Sequence, residues 1–216
     1  VRLDAAPARS PAGAPLVLPS RALAEAIALE WNRQAEEIDP DTMPLTGVAN
    51  AAIDRATPSR AEIAERLSAY GLSDLLCYRA EAPQALAARQ AAAWDPLLAW
   101  AAESLGARLG TTAGIVPRAQ PAEALARLAA RVAALEPFRL TALHDLVALS
   151  GSLVLGLAIL HGRLSAAAAW PISRVDEDWQ IEQWGEDEEA ARAAAAKRAD
   201  FLLAERFLML LETDDA

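Results

Sequence analysis

The stretch LVALSGSLVLGLAIL, residues 146–160, decides what kind of protein this is. It is the longest apolar run in the chain, yet it falls short of the roughly 20 residues a helix needs to cross a bilayer. Ser150, Gly151 and Ser152 interrupt it. A segment that is apolar all round but too short to span reads as a helix in the middle of a globular core. The pattern predicts one helix from Leu140 to about Leu160, covered on every side by other elements.

Helical spacing continues in both directions. Downstream it gives Ser165 to Trp170, Ile172 to Trp184, and Glu186 to about Glu212; the last of these ends in an apolar run, Phe201 to Leu211, that belongs in the core. Upstream it gives Pro121 to Leu135 and a helix from near Pro83 toward Leu105, kinked or divided at Pro96. Met43 to Ala56 and a Ser59-capped helix ending at Gly71 precede these, and Ser20 caps a helix from Arg21 to about Ile38, closed by Asp39-Pro40-Asp41. Strand character is confined to three places. Val1 to Asp4 and Pro15 to Leu18 flank turn residues at Pro11 to Ala14 as a hairpin; Asp74 to Arg79 reads as an interior strand; Thr111 to Val116 reads as a short one. The fold class that follows is α+β, mostly α: a small N-terminal β-containing domain, residues 1–42, followed by a larger α-helical orthogonal bundle, residues 43–216. Val1, opening inside a strand-like run without a Met, implies residues upstream.

Composition narrows function. Twenty Lys and Arg against 30 Asp and Glu give a formal charge of −10, which opposes binding to nucleic acid or to an anionic membrane surface. A partner chosen by charge should offer Arg or Lys. The lone Cys77 rules out an intrachain disulfide, and with only His144 and His161 beside it no Cys/His zinc site can be assembled. The Gly106-x-x-x-Gly110-Thr111-Thr112 segment lacks the lysine and the spacing of a phosphate loop. His144 and His161 sit in apolar helical sequence, where a hydrogen-bonded structural imidazole is the expected role, and adjacent helical positions about 100° apart argue against a His144-Asp145 dyad.

One tract stands out chemically: RVDEDWQIEQWGEDEEA, residues 174–190. Asp176, Glu177, Asp178, Glu182, Glu186, Asp187, Glu188 and Glu189 crowd together with no basic residue among them. Part of this is ordinary helix chemistry, because Trp184-Gly185 can end one helix and leave Glu186 to Glu189 as the first turn of the next, where negative charge offsets the macrodipole. The aromatics are not explained that way. On a continuous helix Val175 and Trp179 share a face and Trp184 lies almost opposite, so two surfaces ask to be covered. A divalent-metal site on Asp178, Glu182, Glu186 and Glu189 is the chemical alternative, and the helical carboxylate–histidine spacing such sites use is absent.

The order of short motifs resembles one family. Pro19-Ser20 with Leu23-Ala24, Glu30-Trp31-x-x-Gln34, Met43-Pro44-Leu45-Thr46, Asn50, Ile53-Asp54, Tyr78-Arg79, Gln90, Trp94-Asp95-Pro96-Leu97, Gly151-Ser152 and the acidic tract together resemble the ATP synthase F-one sector assembly chaperones that act on the alpha subunit, found in mitochondria and alphaproteobacteria. The resemblance covers about residues 14 to 211. It implies a two-part fold without catalytic activity, metal or cofactor, binding the unassembled alpha subunit and shielding its apolar interface with beta until the hexamer forms. It implies no nucleic-acid, membrane or small-molecule partner, and a monomer when free. The short run after Trp184-Gly185, lacking the longer aromatic and histidine-containing insert of mitochondrial members, favours a bacterial cytoplasmic protein; a eukaryotic member would work in the mitochondrial matrix. Partner-binding residues are expected at Trp179, Glu182, Trp184, Glu186, Asp187 and Glu189, and structural roles at Trp31, Trp94 and Asp95. An acidic helical interaction scaffold, or a carboxylate-bound divalent-metal enzyme, is the competing reading.

Overall fold

A computed structural model describes residues 2, 3 and 6–212. Among the described residues the chain is mostly helical, with four two-residue strands. The helices are α1 (Arg21–Asn32), α2 (Pro44–Ala51, continued by a π turn, Ala52–Ala56), α3 (Arg60–Ser68), α4 (Gln84–Ser104), α5 (Ala122–Ala133), α6 (Pro137–Ser150), α7 (Leu153–Leu160), α8 (Ala166–Ser173), α9 (Val175–Trp184) and α10 (Glu188–Glu212). Strands β1 (Arg2–Leu3) and β2 (Ala6–Pro7) pair antiparallel, and β3 (Tyr78–Arg79) pairs parallel with β4 (Thr112–Ala113).

The apolar stretch that opened the case is two helices, not one. Gly151 adopts φ +72, a left-handed conformation that ends α6, and Ser152 caps α7 by accepting from the Leu155 amide at 3.0 Å. Asp74 holds the corner from outside. Fully buried, it accepts from Ser152 Oγ at 2.7 Å, Val154 N at 2.9 Å and Leu76 N at 3.0 Å. Because its carboxylate is committed to that corner, Leu75–Cys77 is a 3-10 turn, and the expected strand from Asp74 shrinks to Tyr78–Arg79. Breaking the run lets α7 fold back on α6, where Gly156 gives room: a Cβ there would lie 2.7 Å from Val147 Cγ2. Leu153 through Ile159 are all buried, each large side chain worth about 1.5–3 kcal/mol of transfer free energy.

Other boundaries also shift for identifiable reasons. The first helix stops at Asn32, six residues early, because Gln34 turns back on it: its Nε2 donates to Glu30 O at 3.1 Å while its Oε1 accepts from Asp39 N at 2.8 Å. Glu30 itself is buried and caps α2, accepting from the amides of Leu45 and Thr46 and from Thr46 Oγ. In the N-terminal segment the turn at Pro11 to Ala14 joins Arg9 to Pro15, but Arg2–Leu3 pairs with Ala6–Pro7 and not with the Pro15 arm. Val1 and Asp4, the ends of the expected outer arm, lie outside the described residues. α4 runs unbroken through Pro96, on its exposed side, where the carbonyl left without a donor meets water. A single buried cluster links Leu16, Leu23 and Ile27 at the start of the chain to Phe201, Phe207 and Leu208 near its end. No described helix is long and apolar enough to cross a membrane.

Candidate partner-binding site

The acidic tract is divided by Gly185, whose φ of +87 ends α9 and turns the chain before α10. Asp178, Glu182, Glu186 and Glu189 therefore do not share the face of one helix. Asp187 caps α10 through Oδ1 on the Ala190 amide at 2.8 Å, and Glu188 and Glu189 occupy its first turn, where their charge meets the positive end of the helix dipole. Glu186 makes no hydrogen bond or ion pair among the described residues.

α9 is braced from the side. Arg89 of α4 reaches both carboxylate oxygens of Glu182 at 2.7 Å, and that hydrogen bond holds the already strongly basic guanidinium further up. One residue on, Gln90 donates to Asp176 Oδ1 at 2.6 Å while its own carbonyl accepts from Ala80 N. Val175 is buried, and Trp179 and Ile181 are half-buried. Trp184, at the far end of the helix, is 78% exposed. Of the six expected partner-binding residues, then, Trp184, Glu186 and Glu189 stand free at the corner between α9 and α10. Asp187 lies with them but spends one oxygen on the cap, Trp179 faces inward in part, and Glu182 is engaged by Arg89.

The remaining expected residues are elsewhere. Trp94 is 1% exposed and donates to Ile172 O at 2.8 Å, tying α4 to the end of α8. Asp95, on the surface, holds Arg79, whose guanidinium lies 5.0 Å from the Trp94 ring. Trp31 is half-buried, with an indole N–H that finds no protein acceptor. The histidines depart from expectation. His144 is exposed and its Nδ1 lies 3.0 Å from Asp145 Oδ1, so adjacent helical side chains do reach one another here. His161 packs near Trp100, and burial together with Arg131 lowers its pKa. Among the described residues no three His, Cys, Asp or Glu are placed to share a metal ion.

Arg89, which braces the acidic helix, is invisible in the sequence, and Gln90 stands out there only as part of the family resemblance, without its role. They lie 93 and 86 positions from their partners, and nothing local in an alanine-rich helix shows what they hold.

The ATP12 chaperone protein family matches residues 1–102. The whole chain compares more widely still: over 95% of its length and 88% of the other's, it superposes on the crystal structure of Atp12 from Paracoccus denitrificans with a TM-score of 0.93 and 51% sequence identity. The chain belongs to the ATP12 chaperone family. A chaperone candidate from Agrobacterium tumefaciens matches with a TM-score of 0.89 and 44% identity, over 97% of this chain and 78% of that one. The mitochondrial protein atp12 of Schizosaccharomyces pombe is 27% identical over 202 residues, which are 88% of this chain and 69% of the yeast protein. The ATP12 family match stops inside α4, so Arg89 and Gln90 fall within it and the acidic helix they brace falls outside.

Proposed function

We propose that the chain is a non-catalytic assembly chaperone of F-type ATP synthase that binds the unassembled alpha subunit, covers its apolar interface with beta, and releases it as the hexamer forms. The observation that carries the docking site is the exposed Trp184 set among Glu186, Asp187 and Glu189, on a corner braced rigidly from α4. A large aromatic left in water beside uncompensated carboxylates suits a partner that offers an apolar patch rimmed by Arg or Lys. Membership of a chaperone family supports the rest, since an unpartnered subunit interface aggregates until it is covered. The protein works without a cofactor, in the bacterial cytoplasm. The exposed connection between α1 and α2 divides a first part, residues 1–42, from a second, residues 43–216; cleavage there by a protease should leave two fragments that stay together through the shared core.

Co-expression with alpha and with beta separately, followed by co-purification, tests the partner. Recovery of alpha and not beta is the expected result; recovery of neither, or equal recovery of unrelated apolar clients, overturns it. E186K/E189K should then lose most of the alpha recovered by wild type at physiological salt without a change in fold.

A further inference from the structure

Away from the acidic corner, α2, α3, α6 and α10 enclose an open groove of about 730 Å3. Its apolar lining comes from Val48 of α2, Ile63 of α3 and Leu203 of α10. The π turn at Ala52–Ala56 forms one wall and swings Asp54 and Arg55 onto it; such an inserted residue shifts helical register and recurs at functional sites. The groove carries four carboxylates against two guanidiniums. Glu62 faces Arg66 at 3.6 Å, and Asp54 is taken by Ser10 Oγ and the Ala12 amide, which anchor the N-terminal turn. Asp145 meets His144, and Asp200 has no ion-pair or hydrogen-bond partner among the described residues. Charge is therefore left over on the α6–α10 side, and it is negative.

The first half of α10 adds a second observation. From Glu188 to Asp200 the helix is exposed at every residue except the half-buried Ala191 and Ala194, whereas Phe201, Ala204, Phe207 and Leu208 root its second half in the core. Helical spacing puts Glu189, Ala193 and Ala196 on the same face as Asp200 and Leu203, with Lys197 at its edge, so the wall of the groove continues beyond the body of the protein as an exposed face of two alanines ending in a carboxylate. Among the described residues none buries that extension.

We infer that this groove is a second docking surface for the same client, taking a segment that carries apolar residues beside Arg or Lys. Its apolar side lies on Val48 and Ile63, its basic groups meet Asp145 and Asp200, and the overhanging half of α10 lines it. This rests on the chaperone reading and extends it: the client is gripped at two places along α10, at the acidic corner and in the groove.

The test uses full-length protein co-expressed with alpha. Cys77 is buried, so a new surface thiol takes a benzophenone–maleimide label alone. A193C faces the groove side of α10, and A195C, roughly 200° further round the helix, faces away. Photolysis should crosslink alpha from A193C and not from A195C, and D145K/D200K should lower recovery of alpha at least tenfold while its melting curve stays that of wild type. Should the lysine pair fail to fold, D145N/D200N, which removes charge without adding bulk, is expected to show a loss of several-fold. Equal crosslinking from both positions, a crosslink only to a second copy of the chain, or undiminished recovery by the Asp145 and Asp200 variants overturns the groove while leaving the chaperone reading standing. If wild type itself recovers no alpha, that reading fails first and the groove with it.

Discussion

Asp74 shows how one buried carboxylate can set the shape of a core. Burial pushes its pKa up, and the hydrogen bonds from Val154, Ser152 and Leu76 pull it back. Replacing it by Leu keeps the volume and strands the Val154 and Leu76 amides, so urea denaturation of D74L should report a loss of about 3 kcal/mol. Two other single groups give sharp expectations. Burial and the neighbouring Asp74 raise the Cys77 thiol to about 12, so it should alkylate slowly in the native protein and at once in denaturant. His161 is lowered below its unfolded value, which means the unfolded chain binds the proton first as pH falls. The stability it contributes is intact above the ordinary imidazole pKa and is lost on going down through it, so melting temperature should fall less between pH 7 and pH 5 in H161Q than in wild type. At this scale the sequence is readable where a residue acts on its own neighbours: Ser20 caps α1 through the Leu23 amide as its position suggests. Asp74 is not readable, because beyond the local Leu76 amide its partners Ser152 and Val154 lie about 80 residues away.

Most helices were legible in place, but one expected helix is two, the N-terminal strands pair differently, and α1 ends early on the local contacts of Gln34. Residues 146–160 look like one helix because apolarity alone carries no mark of direction; Gly151 breaks it only because Asp74 waits to receive the Ser152 hydroxyl and the Val154 amide. G151A, forced to keep φ +72, should therefore cost about 1–2 kcal/mol by thermal or chemical denaturation. The brace between α4 and α9 behaves differently. Arg89 and Glu182 are both largely in solvent, so R89A should change global stability by less than about 1 kcal/mol. What should change is local: amide exchange across α9 is expected to quicken in R89A, and unchanged protection there would show that the brace does not hold the helix.

For the molecule as a whole, composition already spoke. A charge of −10 with eight of the 30 acids gathered in one tract pointed to a basic partner, and residues 182–190 of that tract are exposed. What could not be read was how its members divide their duties, since capping by Asp187 and bracing of Glu182 depend on the turn at Gly185 and on α4. The proposed role makes the difference measurable. E186K/E189K reverses one unpartnered carboxylate and one in the exposed first turn of α10, so it should lose most of the capture of alpha at physiological salt with a melting temperature within a few degrees of wild type. Adding Mg or Mn at millimolar concentration should leave that melt unmoved, and a rise would instead reveal a bound ion.

The way α10 is rooted has a consequence for a chain still on the ribosome. The acidic corner and the bare half of the helix are synthesised before Phe201, Ala204, Phe207 and Leu208, the residues that fasten them to the body. A growing polypeptide thus carries every carboxylate of the corner, and the contacts of α4 to α9, before the residues that root α10 exist. A chain truncated after Asp200 would keep the full acidic complement of the corner and lose the four residues that root α10, so its carboxylates would be present without the docked helix that carries them.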